Sequence, residues 1–283
     1  MIIDGKAISA NMLASLAQKV VSAKTRGKTP CMAVLLVGDD PASLAYIKQK
    51  QKAAETIGAT VIFDHQPSTI TKEQLGMLIA KYNNDDSIHG LIVQRPIPTS
   101  LGDVSLLLES IAPTKDIDGF LPNSSFEVPV AVAVGECLKE VYRATITSQS
   151  YDDANYRLWL KEKNIVVIGR GTTAGGPIFH YFQSLDCATS QVSSQTPDPD
   201  SLTQVADIVI SCVGKPHIVT SNNCKKDAIL ISVGIWRDEF GKLHGDYEPS
   251  EIENHVAWYT PTPGGVGPVN VACLMQNLLN TVE

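Results

Sequence analysis

The residues with the clearest chemical potential stand in the stretch "VGDDPASLAYIKQKQKAAETIG", where Tyr46 and Lys50 lie four positions apart. On a helix that spacing puts a phenol and an amine on one face, able to touch or to address one substrate atom. An amine works as an acid or base near neutral pH only when burial or neighbouring cations lower its pKa. Lys48 and Lys52 share the same charge-rich segment, and on spacing alone solvated lysines are the favoured reading. Two further stretches bear on the choice. "GLIVQRPIP" sets Gln94 at the C-terminal end of a buried strand, where open parallel sheets collect ligand-binding groups; capping of nearby backbone would serve equally well. "APTKDIDGF" places Asp116 and Asp118 in a loop, for which ordinary turn chemistry is the alternative. "TPTPGGVGP" is too rigid and glycine-rich for a casual linker.

A second constellation is "NIVVIGRGTTAGGPIFHYF", an apolar strand, a glycine-rich turn and a helix opened by Pro177. Gly169, Gly171 and Gly175 are spaced G-x-G-x-x-x-G, one residue longer than the usual dinucleotide fingerprint. Small residues there let backbone N–H groups approach a pyrophosphate, and a helix N-terminus stabilises its charge. A tight strand–helix turn with no ligand is the alternative. NAD enzymes usually carry an acidic residue about 20 positions further on to bind the ribose hydroxyl. The corresponding "ATSQVSSQT" has none. Arg170 and Ser194 suit a ribose phosphate instead, which leans toward NADP and leaves NAD open.

The elements that must hold these residues follow from periodicity. "ISANMLASLAQKVVSAKTRG" has helical spacing, and "CMAVLLVG" is a continuous apolar run of the kind buried on both faces in a parallel sheet. Asp40 and Pro41 mark a helix start. "TVIFDHQ", "TKEQLGMLIAKYNND" and "HGLIVQRPIP" continue as strand, helix and strand, so the order is β-α-β-α-β with right-handed crossovers. Residues 121–129 read as a crossing between domains, "VGECLKEVYRA" as a helix, and "TITSQSYDDANYRLWLKEKN" as polar, irregular surface. A second alternating series runs through "NIVVIGR", "ADIVISCVG" and "AILISVG" to a final amphipathic helix, "NVACLMQNLLNTVE". The expected architecture is α/β with two domains and a ligand-binding cleft between them. The boundaries are 1–122 with 269–283 for a catalytic domain and 123–268 for a Rossmann-type domain.

Composition narrows the function classes. The chain has 283 residues and a formal charge of −7, which argues against a nucleic-acid surface. The six cysteines show no C-x-x-C pair and the six histidines no H-x-x-x-H pair, so buried thiols and no metal site are expected. No run approaches a membrane span, and a cytoplasmic location is the default.

Taken in order, "VGDDPASLAYIKQKQKAAETIG", "GLIVQRPIP", "PTKDIDGF", "VVIGRG", "ADIVISCVGKP" and "PTPGGVGP" make the chain resemble the bifunctional methylene-tetrahydrofolate dehydrogenase/cyclohydrolase family, often called FolD. The resemblance implies a homodimer of two-domain subunits that binds folate, polyglutamylated forms included. It implies that Tyr46 and Lys50 are the catalytic pair, that Gln94 holds and tunes the lysine, and that Asp118 binds the pterin edge. By the same resemblance Val93, Arg95, Pro263, Gly264, Gly265, Val266 and Gly267 line the folate side. Gly169, Arg170, Gly171, Ser194 and Ile235 then contact the dinucleotide. The family commonly has Q-L-P, G-R-S, H-S-K-T and G-I-N. This chain has Gln94-Arg95-Pro96, Gly169-Arg170-Gly171, Ser193-Ser194-Gln195-Thr196 and Gly234-Ile235-Trp236. Most of the departures cluster on the nucleotide side, while Arg95 adds a cation near the folate pocket. A single-activity descendant, either an NAD-linked dehydrogenase or a cyclohydrolase, and a non-catalytic folate-binding module are the alternatives.

Overall fold

The computed structural model describes residues 1–146 and 151–283. Its contacts divide the chain into two compact units, Ala10–Pro129 with Val271–Glu283 and Met1–Ser9 with Val130–Asn270. Among the described residues no helix is long and apolar enough to cross a membrane.

The first unit is built on a three-stranded parallel sheet of order β2-β1-β3. In chain order the elements are α1 (Gly5–Thr25), β1 (Cys31–Val37), α2 (Pro41–Ile57), β2 (Thr60–Gln66), α3 (Lys72–Asn83), β3 (Gly90–Val93) and α4 (Ser105–Leu108). The apolar run of β1 is buried from Met32 onward because helices cover both faces of its sheet. Leu36 and Ile92 pack with Ile47 and Ile57 of α2, while Leu35 and Leu91 pack with Leu75 and Ile79 of α3. The start of α2 follows the sequence closely. Asp40 accepts the Ser43 N–H at 2.7 Å, Pro41 occupies the first turn, and Gly58 ends the helix at φ 80°. Thr71 and Gln74 form a reciprocal capping box at the start of α3.

The second unit contains α5 (Pro129–Thr145), α6 (Asp153–Lys161), β4 (Asn164–Ile168), α7 (Gly175–Ser184), β5 (Ala188–Val192), α8 (Pro199–Thr203), β6 (Ile208–Ser211) and β7 (Ile229–Ser232). It continues with β8 (Trp236–Arg237), β9 (Leu243–His244), α9 (Pro249–Ile252) and β10 (Trp258–Tyr259); α10 (Val266–Asn280) closes the chain, and from Val271 onward it belongs to the first unit. Five strands form a parallel sheet of order β10-β7-β6-β4-β5, the doubly wound arrangement expected of a dinucleotide fold. β8 and β9 make a separate antiparallel hairpin.

Several elements depart from expectation. The polar stretch after α5 is not irregular throughout: Asp152 caps α6, whose Tyr156 and Leu160 are buried, and the Tyr156 hydroxyl donates to the Gly135 carbonyl at 2.9 Å. Buried residues four apart supply the apolar face that its polar composition hides. The portion at 147–150 lies outside the described residues. Helix α5 begins at Pro129, and α10 begins inside the glycine-rich motif at Val266 rather than at Asn270. Likewise α7 begins at Gly175, two residues ahead of Pro177.

Candidate active site

Helix α2 presents a stripe of buried residues, Ser43, Ile47, Lys50, Ala54 and Ile57, at alternating spacings of four and three. Lys50 therefore occupies a core position. It is 2% exposed, whereas Lys48 and Lys52 are exposed. The solvated reading holds for those two lysines and fails for Lys50, because 3.6 residues per turn place 50 alone on the inward face. Its Nζ donates to Oε1 of Gln94 at 3.0 Å and stands 5.0 Å from the centre of the half-buried Tyr46 ring.

Gln94 is itself fixed. β3 ends at Val93, which is buried, and the Gln94 N–H extends the ladder by donating to the Leu35 carbonyl at 2.8 Å. Its side-chain Nε2 donates to the Arg95 carbonyl at 2.8 Å, so the amide is oriented with its oxygen toward Lys50. Ser43 Oγ donates to that same carbonyl at 3.3 Å. Arg95 is exposed, with its guanidinium 4.9 Å from the centre of the Phe120 ring.

The two aspartates of the loop differ in role. Asp116 is buried and accepts the Leu121 N–H at 2.9 Å, which is turn chemistry; burial pushes its carboxyl up. Asp118 is half-buried, and its charge acts on the amine and the phenol alike. Burial holds the Lys50 amine below its ordinary value, opposed by Asp118. Burial also pushes the Tyr46 phenol up, aided by Asp118 and Cys273, so it stays a protonated donor.

Sequence reasoning missed two residues that fix this loop. Asn277 of α10 donates to the carbonyls of Ile117 and Glu127 at 2.9 and 3.0 Å, pinning the chain on both sides of Asp118. Lys115 donates to the carbonyls of Tyr82 and Asn83 in the last turn of α3 and of Asp85 just beyond it. A polar residue on the apolar face of the last helix was the available signal for Asn277. Gly119 adopts φ 71°, and a Cβ there would meet the Glu127 backbone at 2.8 Å.

In the second unit the glycine turn is closely packed. A Cβ on Gly175 would lie 2.3 Å from the Gly169 carbonyl oxygen, and Gly169 adopts φ 110°, whereas Gly171 faces open space. Among the described residues, the N–H groups of Arg170, Gly171, Thr172 and Thr173 donate to no acceptor in the chain. The N-terminus of α7 has no side-chain cap. Four unengaged N–H groups at an uncapped helix start fit a pyrophosphate. Arg170 and Ser194 are exposed, and the turn after β5 carries no acidic side chain. Ile235 is 58% exposed. Trp236 is held in the β8–β9 hairpin, stacked on His244 at 4.7 Å with its indole N–H donating to the Gly245 carbonyl at 2.8 Å.

Asp246, also missed, is fully buried. Its carboxylate accepts Ser211 Oγ at 2.6 Å and the N–H groups of Val213, Gly214 and Lys215 at 2.7–2.9 Å. In the glycine-rich motif, Gly264, Gly265 and Val266 are buried while Pro263 and Gly267 are exposed. A Cβ on Gly5 would collide with the Gly265 carbonyl, so these two backbones pack directly.

Comparison with known proteins agrees with both halves of this picture. Residues 3–118 match the model of the tetrahydrofolate dehydrogenase/cyclohydrolase catalytic domain, and residues 153–283 that of the NAD(P)-binding domain of the same family. The bifunctional protein FolD of Delftia acidovorans is 35% identical over 283 residues, covering 100% of this chain and 97% of that protein. The crystal structure of FolD from Campylobacter jejuni superposes with a TM-score of 0.90 at 34% identity, covering 100% of this chain and 98% of that one. The Trypanosoma brucei FolD, solved with NADP and an inhibitor, gives a TM-score of 0.87 at 29% identity over 100% and 97% of the two chains. The chain thus belongs to the tetrahydrofolate dehydrogenase/cyclohydrolase family.

Proposed function

We propose that this chain oxidises methylene-tetrahydrofolate with NADP and hydrolyses the resulting methenyl-tetrahydrofolate to formyl-tetrahydrofolate, with Lys50 as the proton-handling group. The single observation that carries the proposal is the buried Lys50 amine seated on Gln94. A bound dinucleotide supplies the hydride acceptor for the first step. Everything else is done by side chains of the chain itself. Asp118 orients the pterin by accepting hydrogen bonds from its edge, and the methenyl carbon, cationic after hydride loss, is attacked by water. Lys50, which gives up its proton more readily than an exposed lysine, takes a proton from that water and returns one to the departing ring nitrogen. The remaining hydroxyl proton leaves to solvent as the formyl carbonyl forms, so the step consumes one water and releases one proton without a further reagent. Gln94 keeps Nζ in one place, and Tyr46 remains a neutral donor beside it; such positioning is a large part of what a protein adds to a reaction.

The nucleotide preference rests on Arg170 and Ser194, exposed beside a turn that carries no acid. Both half-reactions assayed with NADP and with NAD test the whole reading. Turnover in both, with NADP favoured, is expected; absence of hydrolysis removes Lys50 from its role, and absence of oxidation with either nucleotide leaves a cyclohydrolase. A cytoplasmic homodimer acting on polyglutamylated folate completes the proposal, and a monomeric mass by light scattering would count against the dimer.

A further inference from the structure

The glycine turn is braced from the neighbouring strand. Gln191 lies on β5, the edge strand of the five-stranded sheet, paired with Val167 of β4. Its Nε2 donates to the Gly169 carbonyl at 3.0 Å and to the Gly175 carbonyl at 3.1 Å. One amide therefore ties the last residue before the turn to the first residue of α7. The turn is also fastened from within, since the Gly176 N–H donates to the Gly171 carbonyl at 3.0 Å and the Gly169 N–H to the Val192 carbonyl at 2.8 Å. All of these bonds engage atoms at the base of the turn. None uses the N–H groups of residues 170–173.

We propose that Gln191 is a positioning residue for the dinucleotide. By gathering the two carbonyl oxygens that flank the turn, it draws them away from the incoming phosphates and holds the four N–H groups in one arrangement before ligand arrives. Two carbonyls that close together repel one another, and a pair of N–H donors between them removes that repulsion. No other side chain type at this length offers two donors without a charge. Preformation of this kind lowers the ordering cost of binding and leaves the chemistry at the nicotinamide untouched. The inference rests on dinucleotide binding by this unit and is independent of which nucleotide is preferred.

Gln191→Leu keeps the side chain's bulk and deletes both donors. Calorimetric titration with NADP and with NAD should show affinity falling on the order of tenfold, the size of one lost net hydrogen bond. The dehydrogenase KM for nucleotide should rise in proportion while kcat at saturating nucleotide is retained. Methenyl-tetrahydrofolate hydrolysis, which uses no nucleotide, should be unchanged. Gln191→Glu, which is isosteric but cannot donate, should weaken binding at least as much, and Gln191→Lys, which restores donors, should recover part of it. Unchanged affinity in the leucine variant overturns the proposal. So does a fall in hydrolysis alongside binding, which would make Gln191 a general support of the fold. If the parent chain oxidises no folate yet binds nucleotide, the same titrations still decide the role of Gln191.

Discussion

Replacing Lys50 by methionine isolates the amine from the space it fills. The linear side chain keeps the stem in the α2 stripe and deletes the donor to Gln94 Oε1, a bond of 3.0 Å. Deleting a positioned acid–base group lowers a rate by about 100- to 10,000-fold, or about 3–5 kcal/mol of barrier. Because Gln94 is only half-buried, water can replace the lost donor, and the stability cost sits at the low end of about 1–3 kcal/mol. Against that cost stands relief from burying an ammonium. The folded amine titrates below its ordinary value of 10.5. Between the folded value and 10.5 the unfolded chain holds a proton that the folded chain has released, so stability rises with pH across that window. Below the folded value the parent bears the full penalty of the buried charge, and the methionine variant bears none. The stability of Lys50→Met relative to the parent is therefore greatest in acid and shrinks as pH rises through the folded pKa. Loss of methenyl absorbance measures hydrolysis, and urea titrations across pH measure stability. Hydrolysis within a few-fold of the parent, or stability curves that run parallel over the whole pH range, would refute the assignment.

Two further outcomes follow from the same geometry. Gly175→Ala forces a methyl group to within 2.3 Å of the Gly169 carbonyl oxygen, so the turn must open; dinucleotide affinity should fall about 10- to 100-fold, as close helix–strand packing requires glycine there, with hydrolysis retained and both read by parallel steady-state assays. Arg95→Leu should raise the KM for polyglutamylated folate about two- to five-fold, the worth of an exposed and screened ion pair; monoglutamate should be unaffected, and the difference should vanish at high salt.

Much of this molecule is readable from local pattern. Asp40, Pro41 and Gly58 delimit α2 because caps act within a turn of the chain, and the unbroken apolar run of β1 could only be a strand covered on both sides. Lys50 carried a signal that the solvated reading passed over: Ser43, Ile47, Ala54 and Ile57 share its stripe, and a lysine in a core stripe is unusual. What local pattern does not carry is partnership across long separations. Asp246 meets donors 31 to 35 residues earlier, and Asn277 reaches carbonyls 150 and 160 residues away. Nothing in "HGDYEP" marks Asp246, and the polar residue on the apolar face of "LMQNLL" singles out Asn277 without naming its distant partners. Helix α6 was hidden for the opposite reason, since only Tyr156 and Leu160 of its nine residues are buried and composition outweighed periodicity.

The fully buried carboxylate of Asp246 also bears on where an anion can settle. Backbone N–H groups of Val213, Gly214 and Lys215 converge on it as they would on a phosphate. That concavity comes already filled, its counter-anion covalently part of the polypeptide and proof against exchange with solvent. Of the two amide sets described above, the one at the glycine turn is satisfied by no anion of the chain itself and so suits a diffusible guest.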